Sequence, residues 1–198
     1  MWDQRFTDAE YVFGTEPADF VRRQAERLTP GMRLLSIAEG EGRNAVFLAE
    51  RGIKVTGVEL SAPAREKAQR LALSRGVSID LLAEDLRGWD WPVGEYDALL
   101  ACFIQFADPA FREDIFDGIR RAVAPGGLVM IHGFARRQPR YGTGGPQMVE
   151  QLYDLDLLRE AFPRWKILHQ ADYDADIHEG EGHCGRAALI DFVMQRPS

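Results

Sequence analysis

The sequence predicts an α/β protein built on a doubly wound, mostly parallel sheet. Three stretches indicate this fold class. Residues 34–38 form a short apolar run that is followed by glycines and then by apolar residues at helical spacing. A second apolar strand at 53–58, and later a helix, a Pro-Gly-Gly turn and a strand over 109–132, follow in the same chain. Strands that read as continuous apolar runs and alternate with helices are typical of parallel sheets covered on both faces.

The turn after the first strand contains Gly40 and Gly42, which flank Glu41. Glycines are needed in such a turn because the backbone takes unusual φ values and a ligand approaches within contact distance. Glu59 ends the second strand about 20 residues later, where a carboxylate can accept both hydroxyls of a ribose. These residues predict a cofactor that carries a nucleoside.

The segment IAEGEGRNAVFLAERG at 37–52 resembles motif I of the class I S-adenosylmethionine (SAM) methyltransferases, and Glu59 matches their acidic loop. The likeness is greatest to the tellurite-resistance and thiopurine-methyltransferase-like branch. This chain departs from most members at two positions. Ser36 stands where they carry an acid, and Ala38, two residues later, stands where they carry the first motif glycine. Glu39 is a nearby carboxylate that can replace the missing acid. The resemblance covers nearly the full chain and implies seven strands, the last antiparallel.

Further cofactor contacts are expected at the ends of the third and fourth strands. Asp85 follows the strand at 77–82, and the resemblance implies that it binds the amino group of adenine while the N–H of Leu86 donates to a ring nitrogen. Cys102 ends the strand at 96–102, where ligands bind in this fold class; a buried packing role is the alternative to a nucleophilic one. The residues assigned to SAM are Trp2, Phe13, Ala38, Glu39, Gly40, Gly42, Asn44, Glu59, Leu60, Asp85, Leu86 and Cys102.

Residues 1–30 are predicted to form an N-terminal lid and a helix packed on a single domain of residues 1–198. Trp2 and Phe13 belong to an aromatic cluster before Gly14. These rings either fill the core or cover the cofactor and exclude water. The resemblance favours the lid, because an aromatic N-terminal segment covers SAM in this branch.

The substrate side is expected to include Gln105, Arg140, Tyr141 and His183. The loop at 134–146 is either a solvated crossover or a substrate lid whose arginines, at 136, 137 and 140, attract an anion. The histidines and cysteine at 178–184 do not have the spacing of a helical zinc site, since two glycines and a five-residue separation intervene. We therefore predict no metal there, and a turn near the pocket.

Composition limits the classes of function. The chain has 198 residues, 45% of them hydrophobic and 28% charged, as expected for one globular domain. A net charge of −7 argues against nonspecific binding to nucleic acid or to an anionic membrane. Two cysteines without a CxxC pair, and no apolar run of about 18 residues, favour a cytoplasmic protein without disulfides or membrane spans. The oligomeric state is left open.

The sequence therefore predicts a SAM-dependent methyltransferase acting on a small molecule, such as a thiol or a chalcogen oxyanion. One alternative is an NAD(P)-dependent oxidoreductase, because Gly40, Gly42 and Ala45 also satisfy a GxGxxA fingerprint. Against it, the chain contains no Tyr-x-x-x-Lys pair. A noncatalytic SAM-binding module is the other alternative.

Overall fold

The structure, a computed structural model, describes residues 2–8 and 10–198. Its strands are β1 (Arg33–Ile37), β2 (Lys54–Val58), β3 (Asp80–Leu82), β4 (Tyr96–Cys102), β5 (Val123–Phe134), β6 (Lys166–Glu179) and β7 (His183–Gln195). Its α-helices are α1 (Trp2–Phe6), α2 (Asp19–Gln24), α3 (Arg43–Ala49), α4 (Ala62–Ser74), α5 (Pro109–Ala122) and α6 (Leu155–Ala161). Short 3-10 turns lie at Ala25–Arg27, Gln138–Arg140 and Val149–Gln151.

The seven strands form one sheet in the order β3-β2-β1-β4-β5-β7-β6. Strands β1 to β5 are parallel, and β7 is antiparallel to both β5 and β6. The predicted fold class is confirmed, including the antiparallel last strand. The order reverses between β1 and β4, so the carboxyl ends of these two strands open a crevice where ligands bind in doubly wound sheets.

Helices cover both faces of the sheet. Side chains of α2, α3 and α4 pack with Leu34, Leu100 and Met130 on one face. Side chains of α5 and α6 pack with Leu35, Leu99 and Val129 on the other. Burial on both faces explains why these strands read as continuous apolar runs. None of the helices in the described part of the chain is long and apolar enough to cross a membrane.

Two predicted boundaries were wrong. The sequence predicts closing strands at 165–169 and 187–194, but β6 continues to Glu179 and β7 starts at His183, so that only residues 180–182 form the turn. Polar residues alternate with Ala171, Tyr173 and Ala175 along β6, and that half-exposed pattern conceals the strand in the sequence. The Pro-Gly-Gly segment lies inside β5 as an irregularity, between Val123, which pairs with Tyr96, and Leu128, which pairs with Ala98.

Candidate functional site

The glycine turn between β1 and α3 has the backbone that the sequence predicts. Ala38, Gly40 and Gly42 have φ values of 48°, 67° and 88°. A Cβ on Gly42 would lie 2.7 Å from the Cβ of Ala68 in α4, so this glycine permits close helix packing. A Cβ on Gly40 would meet only the ring of Phe6, at 4.0 Å. Gly40 is therefore the glycine whose backbone faces open space, below the N-terminal segment.

Two carboxylates meet at this turn. Glu59, at the end of β2, accepts hydrogen bonds from the N–H groups of Gly40 and Ser61, each at 2.8 Å, and burial raises its pKa. Glu39 accepts from Ala45 N–H at 2.9 Å and from the hydroxyl of Ser36. Burial raises the pKa of Glu39 to about 7. Glu39 therefore supplies a carboxylate beside Ser36, where related sequences carry their acid on the strand.

The N-terminal aromatic residues lie over the carboxyl ends of the strands. Trp2 stacks on Phe6 with ring centroids 5.8 Å apart, and its ring meets the edge of Phe106 at 6.5 Å. Phe6 in turn contacts Phe13 edge-on at 6.3 Å. Since Phe106 follows β4 and Phe6 lies over Gly40, helix α1 spans the crevice between β1 and β4. The N-terminal segment therefore covers the carboxyl ends of β1 and β4, and its function as a lid stays a prediction.

A buried ion pair holds this segment in place. Lys67 of α4 lies 2.8 Å from Glu41 of the glycine turn, and only 2% of each side chain is exposed. Lys67 also donates to the carbonyl of Glu10 at 2.6 Å, and Glu41 accepts from the N–H of Phe13 at 3.3 Å. Both members of the pair are thus hydrogen bonded to the backbone of the lid.

The hairpin turn closes the site from the other side. The N–H of Gly182 donates to the carbonyl of Val12 at 2.9 Å. A Cβ on Gly180 would come within 2.4 Å of the same carbonyl, and one on Gly182 within 2.5 Å of the Phe13 ring. Only glycines at these two positions let the hairpin turn pack this closely on the lid.

His183 lies inside, at the start of β7. Its ring is 4.6 Å from Phe13, 4.3 Å from Phe103 and 5.2 Å from Phe134, measured between ring centroids. Nδ1 lies 3.6 Å from the carboxylate of Glu179, which forms a 2.8 Å ion pair with Arg43.

The two ionisable groups of this cluster have shifted pKa values. Burial lowers the pKa of His183, although Glu179 opposes the shift. Burial alone would raise the pKa of Glu179, but His183 and Arg43 hold it at about 2. The cluster therefore combines a neutral imidazole with a charged, paired carboxylate at neutral pH.

The remaining residues assigned to the cofactor lie around the same edge of the sheet, with differing exposure. Asp85 is exposed after β3 and accepts from the N–H of Arg87 at 2.9 Å, and Leu86 is buried. Leu60 is exposed. Asn44 accepts from the N–H of Ala18 at 3.0 Å, so its amide oxygen is used to hold the N-terminal segment. Burial strongly raises the pKa of Cys102, which makes its thiol a poor nucleophile.

Of the residues assigned to the substrate, His183 is the one whose side chain lies in the aromatic chamber, the cluster that its ring forms with Phe13, Phe103 and Phe134. Gln105 is buried, and its amide exchanges two hydrogen bonds with the backbone of Phe134, at 2.7 and 2.6 Å. It therefore positions the end of β5, and a substrate contact of Gln105 stays a prediction. Tyr141 donates to Asp174 at 2.8 Å, and Arg140 is exposed.

The loop arginines do not form the anion site expected from the sequence. Arg136 forms an ion pair with Asp154 at 2.7 Å. Arg137 pairs with Asp172 and Asp174. Their charges are already balanced by neighbouring carboxylates, so they offer little attraction to an anionic substrate.

Several residues of the site were not identified from the sequence. The sequence does not indicate that four charged residues of the site are buried or paired: Glu41, Lys67, Arg43 and Glu179. It also does not predict the φ of 55° at Phe103. A second buried histidine was also missed: Nδ1 of His132 lies 2.8 Å from Asp191, on the face of the sheet covered by α2.

Within residues 2–8 and 10–198, no group of three or more His, Cys, Asp or Glu side chains is arranged to hold a metal ion. His178 and Cys184 are exposed on the outer face of the hairpin, with Sγ 3.7 Å from Nδ1. His183 points to the opposite face. The hairpin register thus separates the three side chains that a zinc site in this loop would require.

The chain resembles known methyltransferases in sequence and in fold. The profile of the family described as "Methyltransferase domain" matches residues 34–127. Demethylmenaquinone methyltransferase of Thermus thermophilus is 33% identical over 104 residues, which are 52% of this chain and 47% of that protein. The chain spans about half the length of the curated relatives it matches.

Solved structures share the fold over nearly the whole chain. A structure described under the conversion of a disulfide bond into a thioacetal group during echinomycin biosynthesis superposes with a TM-score of 0.76 and 19% identity, covering 99% of this chain and 91% of that one. TehB from Haemophilus influenzae superposes with a TM-score of 0.75 and 14% identity, covering 98% of this chain and 65% of that one. At such identities the likeness concerns the fold.

Proposed function

We propose that this chain, which belongs to the class I SAM-dependent methyltransferases, binds SAM beside Gly40 and Glu59 and methylates a small molecule. SAM supplies a methyl group that is bound to a sulfonium sulfur and is transferred by in-line displacement at the methyl carbon. The contribution of the chain is to align the acceptor with that methyl group and to exclude water from the site.

The observation that carries the proposal is the pairing of a bare backbone with a carboxylate at the strand crossover. The Gly40 backbone faces open space, and the Glu59 carboxylate lies 2.8 Å from its N–H. A carboxylate at the end of β2 suits the two hydroxyls of a ribose, and a glycine turn at β1 lets the remainder of the cofactor approach the main chain. We assign the adenine to Asp85, which is exposed after β3.

Other residues of the site hold the lid closed over this position. Phe6 lies over Gly40, and Trp2 bridges to Phe106 beyond β4. The Lys67–Glu41 ion pair fixes the rest of the N-terminal segment to the glycine turn and α4. A covered site of this kind suits a small acceptor better than a macromolecule, and the net charge of −7 agrees with that choice.

The charges near the site bear on the choice of acceptor. One relative is named for demethylmenaquinone, and the sequence alone favoured a thiol or a chalcogen oxyanion. The paired arginines at 136 and 137 argue against an anionic acceptor, since their charges are balanced by carboxylates. We therefore favour a neutral acceptor that loses a proton in the reaction.

Isothermal titration calorimetry tests the cofactor. SAM and S-adenosylhomocysteine (SAH) should bind, and NADH should not. Glu59→Gln should weaken SAM binding about 10- to 100-fold, because a hydrogen bond to a charged group contributes roughly 1.5–3 kcal/mol. Glu66→Gln, which changes an exposed acid of α4, is the matched control and should leave the affinity unchanged.

NADH binding in place of SAM would refute the proposal in favour of an oxidoreductase. Tight SAM binding without SAH release on any acceptor would favour the noncatalytic module. Equal loss of affinity in Glu59→Gln and Glu66→Gln would show that Glu59 has no special role.

A further inference from the structure

His183 is a buried histidine at the start of β7. Only 7% of the residue is exposed, and Nδ1 is a buried nitrogen without a hydrogen-bond partner within the described residues. A buried polar atom without a partner costs free energy, and such atoms in native structures call for an explanation. A role in binding or proton transfer is one such explanation.

The surroundings of His183 suit a flat, apolar acceptor. Phe13, Phe103 and Phe134 form three walls around the imidazole, with ring centroids between 4.3 and 5.2 Å away. Aromatic walls of this kind favour a ring-bearing ligand, and a single polar group among them sets its orientation.

The chamber lies next to the place of methyl transfer. Phe103 is the residue directly after β4, and Phe13 contacts Phe6, which lies over Gly40. One aromatic ring, Phe103, therefore separates the imidazole from the end of β4, and two rings, Phe13 and Phe6, separate it from Gly40. The proposed cofactor and an acceptor in this chamber would be neighbours.

Two charged residues prepare His183 to accept a proton. The Glu179 carboxylate lies 3.6 Å from Nδ1, directly across the hairpin, and is fixed by its 2.8 Å ion pair with Arg43. Arg43 is the first residue of α3, so this chain of contacts begins at the cofactor turn itself. With Nδ1 facing the carboxylate, Nε2 is left for the acceptor, and Glu179 stabilises the imidazolium that forms. The lowered pKa of His183 agrees with a ring that is neutral before the reaction.

The other buried histidine is less suited to this role. Nδ1 of His132 is engaged with Asp191 at 2.8 Å and with the carbonyl of Ile190 at 3.1 Å. Its ring stacks on Phe20 of α2 with centroids 4.8 Å apart and an interplanar angle of 7°. These contacts pack His132 between a helix and the sheet.

We propose that His183 is the general base of the reaction, oriented by Glu179 and Arg43, and that the acceptor is a phenol or thiol carried on a flat ring. The inference rests on the proposed methyltransferase function. Nε2 takes the proton of the acceptor O–H or S–H, and the freed electron pair of that oxygen or sulfur forms the bond to the methyl carbon. The carbon–sulfur bond of the sulfonium breaks, its electron pair stays on sulfur, and the imidazolium later releases its proton to water.

The test uses the full chain with SAM and a panel of phenols and aryl thiols of graded acidity, with SAH release as the readout. His183→Gln should lower the rate about 10²- to 10⁴-fold for weakly acidic acceptors, and much less for acceptors that are already ionised at the assay pH. Glu179→Gln should show a smaller loss with the same dependence. His178 is an exposed histidine on the same hairpin, so His178→Gln is the matched control. Its rate of SAH release should stay within about twofold of that of the unchanged chain, as expected for a surface substitution.

Two measurements do not depend on turnover. Calorimetry should show that His183→Gln binds SAM as tightly as the unchanged chain. Imidazole NMR of the unchanged chain should show the His183 signal titrating below the ordinary histidine range, and shifting when a phenol is added to the SAH complex. The NMR readout needs only the unchanged chain and therefore also serves if a variant fails to fold.

If His183→Gln lowers the rate equally for all acceptors, His183 has a packing role and is not the general base. SAM binding without turnover of any member of the panel would overturn the acceptor class. An unchanged His183 signal on addition of the phenol would place the acceptor elsewhere. Failure of the unchanged chain to bind SAM would instead refute the proposed function.

Discussion

The buried pair of Lys67 and Glu41 offers the sharpest test of how the lid is held. Lys67→Met removes the ammonium group and leaves the Glu41 carboxylate, 2% exposed, without its 2.8 Å partner. Breaking a buried ion pair from one side costs about 3–5 kcal/mol, because the remaining charge is buried and uncompensated. The loss also removes a 2.6 Å hydrogen bond to the carbonyl of Glu10.

Urea denaturation followed by circular dichroism measures this cost. With an m-value of about 2 kcal/mol/M, the midpoint should fall by about 2 M. The double change Lys67→Met with Glu41→Gln should recover a large part of the loss, since no buried charge is left alone. The exposed pair of Arg75 and Glu16, at 2.9 Å, is the control, and Arg75→Met should cost less than about 1 kcal/mol.

Equal costs for Lys67→Met and Arg75→Met would refute the reasoning, because the buried pair would then be no more important than an exposed one. A double variant as unstable as the sum of its single changes would also contradict it. If the pair holds the lid as described, Lys67→Met should in addition weaken SAM binding under conditions in which the protein remains folded.

The other predictions concern the glycine turn and its buried acid. Gly42→Ala should destabilise the fold by about 2 kcal/mol or more, because φ is 88° and the new Cβ would lie 2.7 Å from the Cβ of Ala68. Gly40→Ala should cost only about 1 kcal/mol in urea denaturation yet weaken SAM binding in calorimetry, since its Cβ would point into open space; the opposite ranking in either assay would contradict the two roles. The pKa of Glu39 is raised from 4.5 to about 7, so the folded state binds this proton more tightly and the contribution to stability falls as the pH rises from about 4.5 to 7. Urea midpoints of Glu39→Gln should lack that part of the decline, and an unchanged pH profile would show that Glu39 does not titrate in this range.

The sequence predicted the fold because the relevant signals are local. The run at 34–38, the glycines after it and Glu59 lie within about 25 residues, and both backbone geometry and apolar burial act over such distances. The number of strands and the antiparallel last strand came from the family resemblance. The length of β6 was missed because its outer face is polar, so that its pattern resembles a loop.

The ion pairs that hold the N-terminal segment and Glu179 in place join residues that are too far apart in the chain for a sequence pattern to pair them. Lys67 and Glu41 are separated by 26 residues, and Arg43 and Glu179 by 136. Each of these residues is a common charged type that is usually exposed, and burial of such a residue is decided by tertiary packing. The loop at 134–146 left two interpretations open, a solvated crossover and a substrate lid, because the sequence could not place the carboxylates of Asp154, Asp172 and Asp174 beside Arg136 and Arg137.

The role proposed for His183 depends on one register. Across the hairpin Glu179 pairs with His183, and His178 pairs with Cys184. Because side chains alternate between the two faces of a strand, a slip of one residue would turn His183 outward and bring Cys184 into the chamber. The turn of Gly180, Glu181 and Gly182 fixes that register, and its two glycines also allow the close contact with Val12 and Phe13. Positioning of the histidine and closure of the lid are therefore consequences of the same three residues, and a side chain at Gly180 should disturb both together.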